Sequence, residues 1–167
     1  PRSEKRTLRA PKFVADFFET GNAIKTFVAE PDPVAEFDPM QPESKDKNAP
    51  SKGMKKTLSG KKMTANFSQQ TQDVSDLTVD GDAKLTEGER VAVAARGVYT
   101  ASNQNVAMRG KPQVWDSSMR ASADEIDTNV ENSESELRGR ARTTYFNRES
   151  TGGAAPFKNR KQPVTVA

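Results

Sequence analysis

The chain reads as an all-β protein built from repeated antiparallel strand pairs, and three observations predict it. Apolar residues recur at every second position, as in Met63, Ala65 and Phe67, with polar residues between them. Period two with one apolar face is the pattern of a sheet with one wet side. The same order of events, a strand, a polar turn and a longer strand, is met four times. Helical spacing is almost missing; only Ala123 to Val130 would pass for helix, and its Thr and Asn weaken that reading. About 10–14 antiparallel strands are expected on these grounds, in two sheets that face each other.

The first two copies align without a gap. Lys5-Arg-Thr-Leu-Arg-Ala-Pro-Lys-Phe-Val-Ala-Asp-Phe17 matches Lys55-Lys-Thr-Leu-Ser-Gly-Lys-Lys-Met-Thr-Ala-Asn-Phe67 at Lys5, Thr7, Leu8, Lys12, Ala15 and Phe17. Past the turn, Ile24 falls on Val74, Phe27 on Leu77 and Asp32 on Asp82. The third copy starts near Val91 and the fourth near Met119. Units that repeat in this way bury their apolar faces on their neighbours. Residues 1–6 are charged and read as a frayed end. Asp38 to Lys56 carries Pro39, Pro42 and Pro50 among charged and small polar residues, and reads as a mobile insertion that leaves room for one short strand. The tail from Arg148 holds Gly152-Gly153, a basic cluster and Val164-Thr-Val. It reads as flexible, or as a last strand with its partner outside the chain. The domain expectation is therefore a β-domain over 1–147 with an insertion near 38–56, followed by a tail over 148–167.

Alternation assigns an inner row in each copy. Phe13, Ala15 and Phe17 belong to the first, with Phe27 on its return strand. Met63, Ala65 and Phe67 lead to Leu77, Val79, Gly81, Ala83 and Leu85. Val91, Val93, Ala95, Gly97 and Tyr99 precede Val106, Met108, Gly110, Pro112 and Val114. Met119, Ala121 and Ala123 follow, with a change of phase before Ile126, and then Leu137, Gly139, Ala141, Thr143 and Tyr145. These rows hold many Ala and Gly, whereas a filled β-core favours bulky branched residues. Small residues either let two sheets approach closely or floor an open apolar groove walled by Phe, Met and Tyr.

Composition narrows the chemistry. Histidine and cysteine are absent from the 167 residues, which removes imidazole acid–base catalysis, thiol nucleophiles, disulfides and Cys/His zinc sites. The net charge of +3 is mild and its basic residues are interspersed with acidic ones, a solvated surface before a nucleic-acid patch. No apolar run is long enough to cross a bilayer as a helix. The opening Pro1-Arg-Ser-Glu, without an initiator Met or signal peptide, reads as a trimmed or mature chain.

Several short motifs now resemble a family. Ala15-Asp16, Ala65-Asn66 and Ala123-Asp124 match an Ala-Asp step, and Val79-Asp-Gly81, Met108-Arg-Gly110 and Leu137-Arg-Gly139 match an aliphatic-x-Gly step in the return strand. Together with the Asn-rich turns they resemble the OstA/LptA-like repeat of the periplasmic lipopolysaccharide-transport bridge proteins, over residues ~7 to 147. Glu30-Pro31 stands where Gly is expected in the first unit, and Arg96-Gly97 departs in the third. The resemblance implies a twisted, open two-sheet β-jelly-roll that holds acyl chains of lipopolysaccharide, or a related acyl lipid, in its groove. It also implies a periplasmic location, passage of lipid toward the outer membrane, and edge-to-edge β-strand pairing with other OstA-like domains. A homo-oligomer is one assembly this allows. The implied groove residues are Phe13, Ala15, Phe17, Phe27, Met63, Ala65, Phe67, Leu77, Val79, Val91, Val93, Tyr99, Val106, Met108, Val114, Met119, Ala121, Leu137 and Tyr145. Headgroup phosphates would stay at the mouth near basic residues such as Arg90, Arg96, Arg109 and Arg120.

The rival classes are weaker. Asp124, Glu125 and Asp127 cluster as a glycosidase pair might demand, but no base, nucleophile or phosphate loop accompanies them, so the chain is read as no enzyme and as needing no cofactor or metal. A nucleic-acid module would need basic residues and aromatics together on an exposed face, and the aromatics fall on the inner one. A self-associating structural or polysaccharide-binding β-repeat would share the edges but have a filled core instead of a groove.

Overall fold

The computed structural model describes residues 6–38, 54–146 and 164–166. Among them are fifteen strands and one short 3-10 turn, Ala101–Asn103. In chain order the strands are β1 (Arg6–Arg9), β2 (Lys12–Phe17), β3 (Ile24–Glu30), β4 (Val34–Phe37), β5 (Lys56–Ser59), β6 (Lys62–Phe67), β7 (Val74–Glu87) and β8 (Arg90–Thr100). Then follow β9 (Asn105–Arg109), β10 (Gln113–Trp115), β11 (Met119–Ser122), β12 (Glu125–Asn129), β13 (Ser135–Arg138), β14 (Arg142–Tyr145) and β15 (Val164–Val166). All the pairings are antiparallel, and the sheet does not close into a barrel. The helix-like stretch 123–130 contains β12 and is extended.

The sheet is folded into two leaves. The first runs β1-β4-β5-β7-β8-β10-β11-β14-β15, and the second runs β2-β3-β6-β7-β8-β9-β12-β13. Only β7 and β8 are continuous through both; every other long strand is cut in two where it crosses the crease between the leaves. That is why there are more strands than the repeat pattern suggests. Most of the expected insertion, 39–53, lies outside the described residues. Its two ends are neighbours, since β4 pairs with β5 from Phe37↔Lys56 to Val34↔Ser59. The expectation that the last strand pairs outside the chain is corrected: β15 pairs with β14, Val164↔Tyr145 to Val166↔Thr143.

The Gly step of the sequence makes the crease. Gly81, Gly110 and Gly139 have φ of +71°, +80° and +64°. Each is followed by a left-handed residue, Asp82, Lys111 or Arg140. Glycine enters this region without a Cβ penalty. The carbonyls of these glycines accept hydrogen bonds from the backbone N–H of Lys61 (2.8 Å), Ala95 (3.4 Å) and Asp124 (2.9 Å) on the preceding strands. In the first unit a cis Glu30–Pro31 bond and Asp32 at φ +51° stand in the same place.

Crossing the crease has a simple arithmetic. Return strands use two left-handed residues there, so their alternation keeps its phase: Val79 and Ala83 are both buried, as are Met108 and Pro112. Outgoing strands use one residue and flip. In β7 against β8 the register passes from Asp80↔Arg96 to Ala83↔Ala94, two residues on one strand facing one on the other, a β-bulge. Ala92 and Ala94 are therefore inward before the crease and Gly97 and Tyr99 after it. The phase change expected before Ile126 is the same event, with Ala121, Ala123 and Ile126 all buried.

The core lies along the crease. One buried cluster joins Ala29, Met63 and Val79 of the second leaf to Ala35 and Ala83 of the first. Another joins Met108 and Ile126 to Ala92, Ala94 and Ala123. Seven of the eleven buried apolar residues among those described are alanine, so the leaves come together on small side chains at the crease. Close approach of two sheets, the first of the two roles open to the small residues, is realised there.

Candidate functional site

The inner face is ruled into rungs that cross every strand. In the second leaf the rung nearest the crease reads Phe13, Ala29, Met63, Val79, Gly97, Met108, Ile126 and Leu137. The next reads Ala15, Phe27, Ala65, Leu77, Tyr99, Val106, Thr128 and Ser135. In the first leaf the facing rung reads Leu8, Ala35, Leu58, Leu85, Ala92, Val114, Ala121 and Thr143. No ionisable carboxylate, lysine or arginine stands on any of these three. Alternation puts such residues on the other face beside the crease; charge enters the inner face of the first leaf only one rung farther out, where the register reads Arg6, Phe37, Lys56, Glu87 and Arg90.

Exposure rises with distance from the crease. Met63 is 3% exposed and Ile126 2%, whereas Phe27, Ala65, Leu77, Tyr99 and Val106 one rung out are half-buried. Farther toward the strand ends Tyr145 is 55% exposed. Phe13, on the edge strand β2, is also exposed and stacks on Phe27 with ring centroids 5.4 Å apart. The crease is thus packed, and the apolar rungs become more exposed with distance from it.

The sequence-predicted residues divide accordingly. Met63, Val79, Met108 and Ala121 are buried in the crease region, and Ala15, Phe27, Ala65, Leu77, Tyr99, Val106, Val114 and Leu137 form the half-buried wall. Met119 pairs with Tyr145 near the rim of the first leaf. Phe67 and Phe17 sit just past register shifts that follow Asn66 and Asp16, so simple alternation no longer fixes their side. Val91 and Val93 do not share the inner row. They pair with Trp115 and Gln113, on the face opposite Ala92 and Ala94, because β8 flips at the crease. Leu8, Phe37, Leu58, Leu85 and Ile126 belong to the inner face and were missed as site residues; counting one crease residue on outgoing strands finds Leu8, Leu58 and Ile126, while Phe37 and Leu85 follow from plain alternation on return strands.

The outer face of the second leaf carries the charge. Its rung beside the crease reads Lys12, Glu30, Lys62, Asp80, Arg96, Arg109, Glu125 and Arg138. Ion pairs follow along it: Glu30 with Lys12 (3.7 Å) and Lys62 (3.6 Å), Asp80 with Arg96 (3.3 Å), and Glu125 with Arg109 (3.7 Å) and Arg138 (3.2 Å). Asp127, the least exposed carboxylate of the group, is held by Arg109 and Arg138; its Oδ1 lies 2.9 Å from Arg109 Nη2 without hydrogen-bond alignment. Hydrogen bonding to Glu125 raises the Arg138 guanidinium above its ordinary value. At the crease, Arg140 grips Asp124 at 2.6 Å and holds that carboxyl below the usual aspartate range. Asp124, Glu125 and Asp127 are thus each paired with arginine. Arg96, Arg109 and Arg120 stand on outer faces, Arg120 donating to Gln113 at 2.6 Å. Arg90 alone of the four proposed basic residues is at the rim, opposite Glu87. Among the described residues no cluster of metal-ligating side chains occurs and no helix is long and apolar enough to cross a membrane.

A family profile described as LptA/(LptD N-terminal domain) LPS transport protein matches residues 51–134. The chain belongs to this family. Among solved structures it is similar to LptH of Pseudomonas aeruginosa, described as the LptA-homologous periplasmic component of the conserved lipopolysaccharide transport device. The TM-score is 0.58 at 12% identity, over 98% of this chain and 95% of that one. At that identity the likeness is one of fold, the open β-jelly-roll of LptA-like proteins. No curated protein sequence matches the chain. The family is one of transport proteins.

Proposed function

We propose that the chain is a periplasmic carrier that holds acyl chains of lipopolysaccharide, or of a related lipid, between its leaves and passes them toward the outer membrane. The observation that supports this reading is the set of three uncharged inner rungs beside the crease, more exposed in the second rung than in the first, with charged residues entering only at the rim of the first leaf. Each methylene moved from water onto such a wall gains about 0.8 kcal/mol. The strands that line it need no chemistry, only apolar surface and access. Strand edges left unpaired among the described residues, β1, β2 and β13, favour joining to other domains of the same kind by strand addition. The periplasmic setting follows LptH.

Two substitutions test the wall against the core. Ile126→Glu places a carboxylate in the packed crease, which costs several kcal/mol, on the order of 2–7, and is expected to unfold the domain. Leu77→Glu stands where the carboxylate reaches water; the domain should remain folded but take up far less labelled lipopolysaccharide, because the charge is desolvated when an acyl chain enters. A folded Leu77→Glu protein with unchanged uptake would refute the carrier reading and leave a structural β-repeat.

A further inference from the structure

We propose that the outer face of the first leaf is a docking surface for an anionic lipid bilayer, with Trp115 at its apolar centre. This goes beyond the carrier reading and uses the side of the sheet opposite the wall.

The flip of β8 at the crease turns Val91 and Val93 outward. There they meet the one tryptophan of the chain: Val91 pairs with Trp115, and Val93 with Gln113, on neighbouring β10. All four residues are half-buried. Alternation extends these two outer rungs across β7, β8, β10, β11 and β14. Their charged members are Lys84, Arg120 and Arg142, and no carboxylate stands on them. All three cations are exposed, and among the described residues none of them is in an ion pair with a carboxylate. Arg120 donates to the Gln113 side chain at 2.6 Å, a neutral partner that leaves its charge uncompensated.

The two outer faces differ in sign. Over its register positions the first leaf shows Arg9, Lys84, Arg120 and Arg142 against one carboxylate, Glu36, which Arg9 and Lys55 already hold at 3.0 and 2.8 Å. On the second leaf the charged rung beside the crease has five cations and three carboxylates, and Asp16, Asp76, Asp127 and Glu136 stand farther out, so carboxylates outnumber cations by two. A negative surface therefore attracts the first face and repels the second, which orients the molecule.

The layout selects the kind of anion. Lys84 and Arg142 stand four strands apart, about 19 Å at ordinary strand spacing. No single small anion meets both, whereas a surface that presents many anions does. Between the cations lies an apolar patch of tryptophan and valine, which gains nothing from a fully hydrated polyanion. At a bilayer the indole sits at the headgroup level, where tryptophan is enriched. Each Lys or Arg brought near anionic headgroups strengthens binding by roughly fivefold.

Trp115 reports on this face alone, because the inner wall holds no tryptophan. The whole chain is titrated at low salt with vesicles of phosphatidylglycerol and phosphatidylcholine, with vesicles of phosphatidylcholine alone, and with alginate, a soluble anionic polysaccharide. Cosedimentation reads vesicle binding, and Trp115 emission reads contact, with lipids brominated on the acyl chain as quenchers. Anionic vesicles should bind, shift the emission to the blue and quench it; neutral ones should not. Lys84→Gln with Arg142→Gln should weaken vesicle binding about tenfold or more, while Lys12→Gln with Lys62→Gln, an equal change in net charge on the other face, should stay within about twofold. Leu77→Glu alters the inner wall and should keep the blue shift. No shift with anionic vesicles, equal binding to neutral ones, equal loss in the two double variants, or a shift with alginate and not with vesicles would each overturn the proposal. Loss of the shift in a folded Leu77→Glu protein would assign the signal to the wall and also overturn it. Unchanged lipopolysaccharide uptake by that variant, with the shift retained, refutes the carrier reading and leaves the docking face standing.

Discussion

The backbone N–H of Asp124 donates to the carbonyl of Gly139 at 2.9 Å, and a Cβ added to Gly139 would fall 2.5 Å from the carboxylate of that same aspartate. The hydrogen bond and the missing side chain are two sides of one contact. Gly110 repeats it against Ala95, whose Cβ would lie 2.5 Å from the added carbon, and Gly81 against Lys61 at 2.7 Å.

Alanine at Gly110 should accordingly destabilise the domain by roughly 1–3 kcal/mol, from the left-handed backbone together with the clash. Gly97 is the control. Its φ is not positive and an added Cβ meets Ala83 at an ordinary 3.9 Å. Gly97→Ala should change stability by less than about 1 kcal/mol. Urea unfolding of the two variants checks the contrast.

Truncation in the crease should be costly for the fold. Ile126 is 2% exposed and packs with Ala92, Ala94, Met108 and Ala123. Ile126→Ala should cost about 2–5 kcal/mol. The same truncation at exposed Phe17 should cost far less, and thermal melts of both give the ordering.

Acid should remove part of the stability. Lys55 and Arg9 beside Glu36, the Ser118 hydroxyl and amide at Asp116, and Arg140 at Asp124 hold these three carboxyls below their ordinary values. A depressed folded value means stabilisation that is complete above the unfolded range, near ~4, and fades as pH falls through the lower folded values. Melting temperature should be flat from neutral pH to the unfolded range and fall below it. Asp116→Ala should weaken that acid dependence, since Asp116 Oδ1 accepts from the amides of Ser118 and Met119 at 2.7 and 3.0 Å.

Replacing 39–53 by a short Gly-Ser link should leave the melting temperature within a few degrees. Phe37 and Lys56 face each other across β4 and β5, so a few residues close the gap, and closure entropy changes by only about 0.6 kcal/mol per doubling of length. A collapse of the fold would show that the segment is an integral strand.

Much of this was legible in the chain itself. Alternation located the strands, and the Gly step marked the return crossings because only glycine meets both the positive φ and the close approach at Gly81, Gly110 and Gly139. The β8 row was assigned to the wrong face at Val91 and Val93, since a one-residue crossing at Ala95 leaves no compositional trace: alanine suits either side of the crease. Ala15-Asp16 and Ala123-Asp124 look alike as dipeptides, yet the first lies just before a register shift near the rim and the second at the crease. Met63 and Met108 were grouped with Phe17 and Tyr145 because sequence shows which face a residue takes but not how far it stands from a fold line. Their burial makes a charge at Met108, as in Met108→Glu, a probe of folding and not of binding.

The crease runs across the strands, so the protein grows by addition along one axis only. Neighbouring strands lie about 4.8 Å apart, and each out-and-back unit lengthens the sheet by roughly 10 Å along the crease. On the carrier reading proposed above, capacity for a hydrophobic cargo is then a matter of how many units are strung together, within one chain or across several, and not of redesigning the lining. A docked neighbour would extend the same conduit without a step, as one length of gutter continues another.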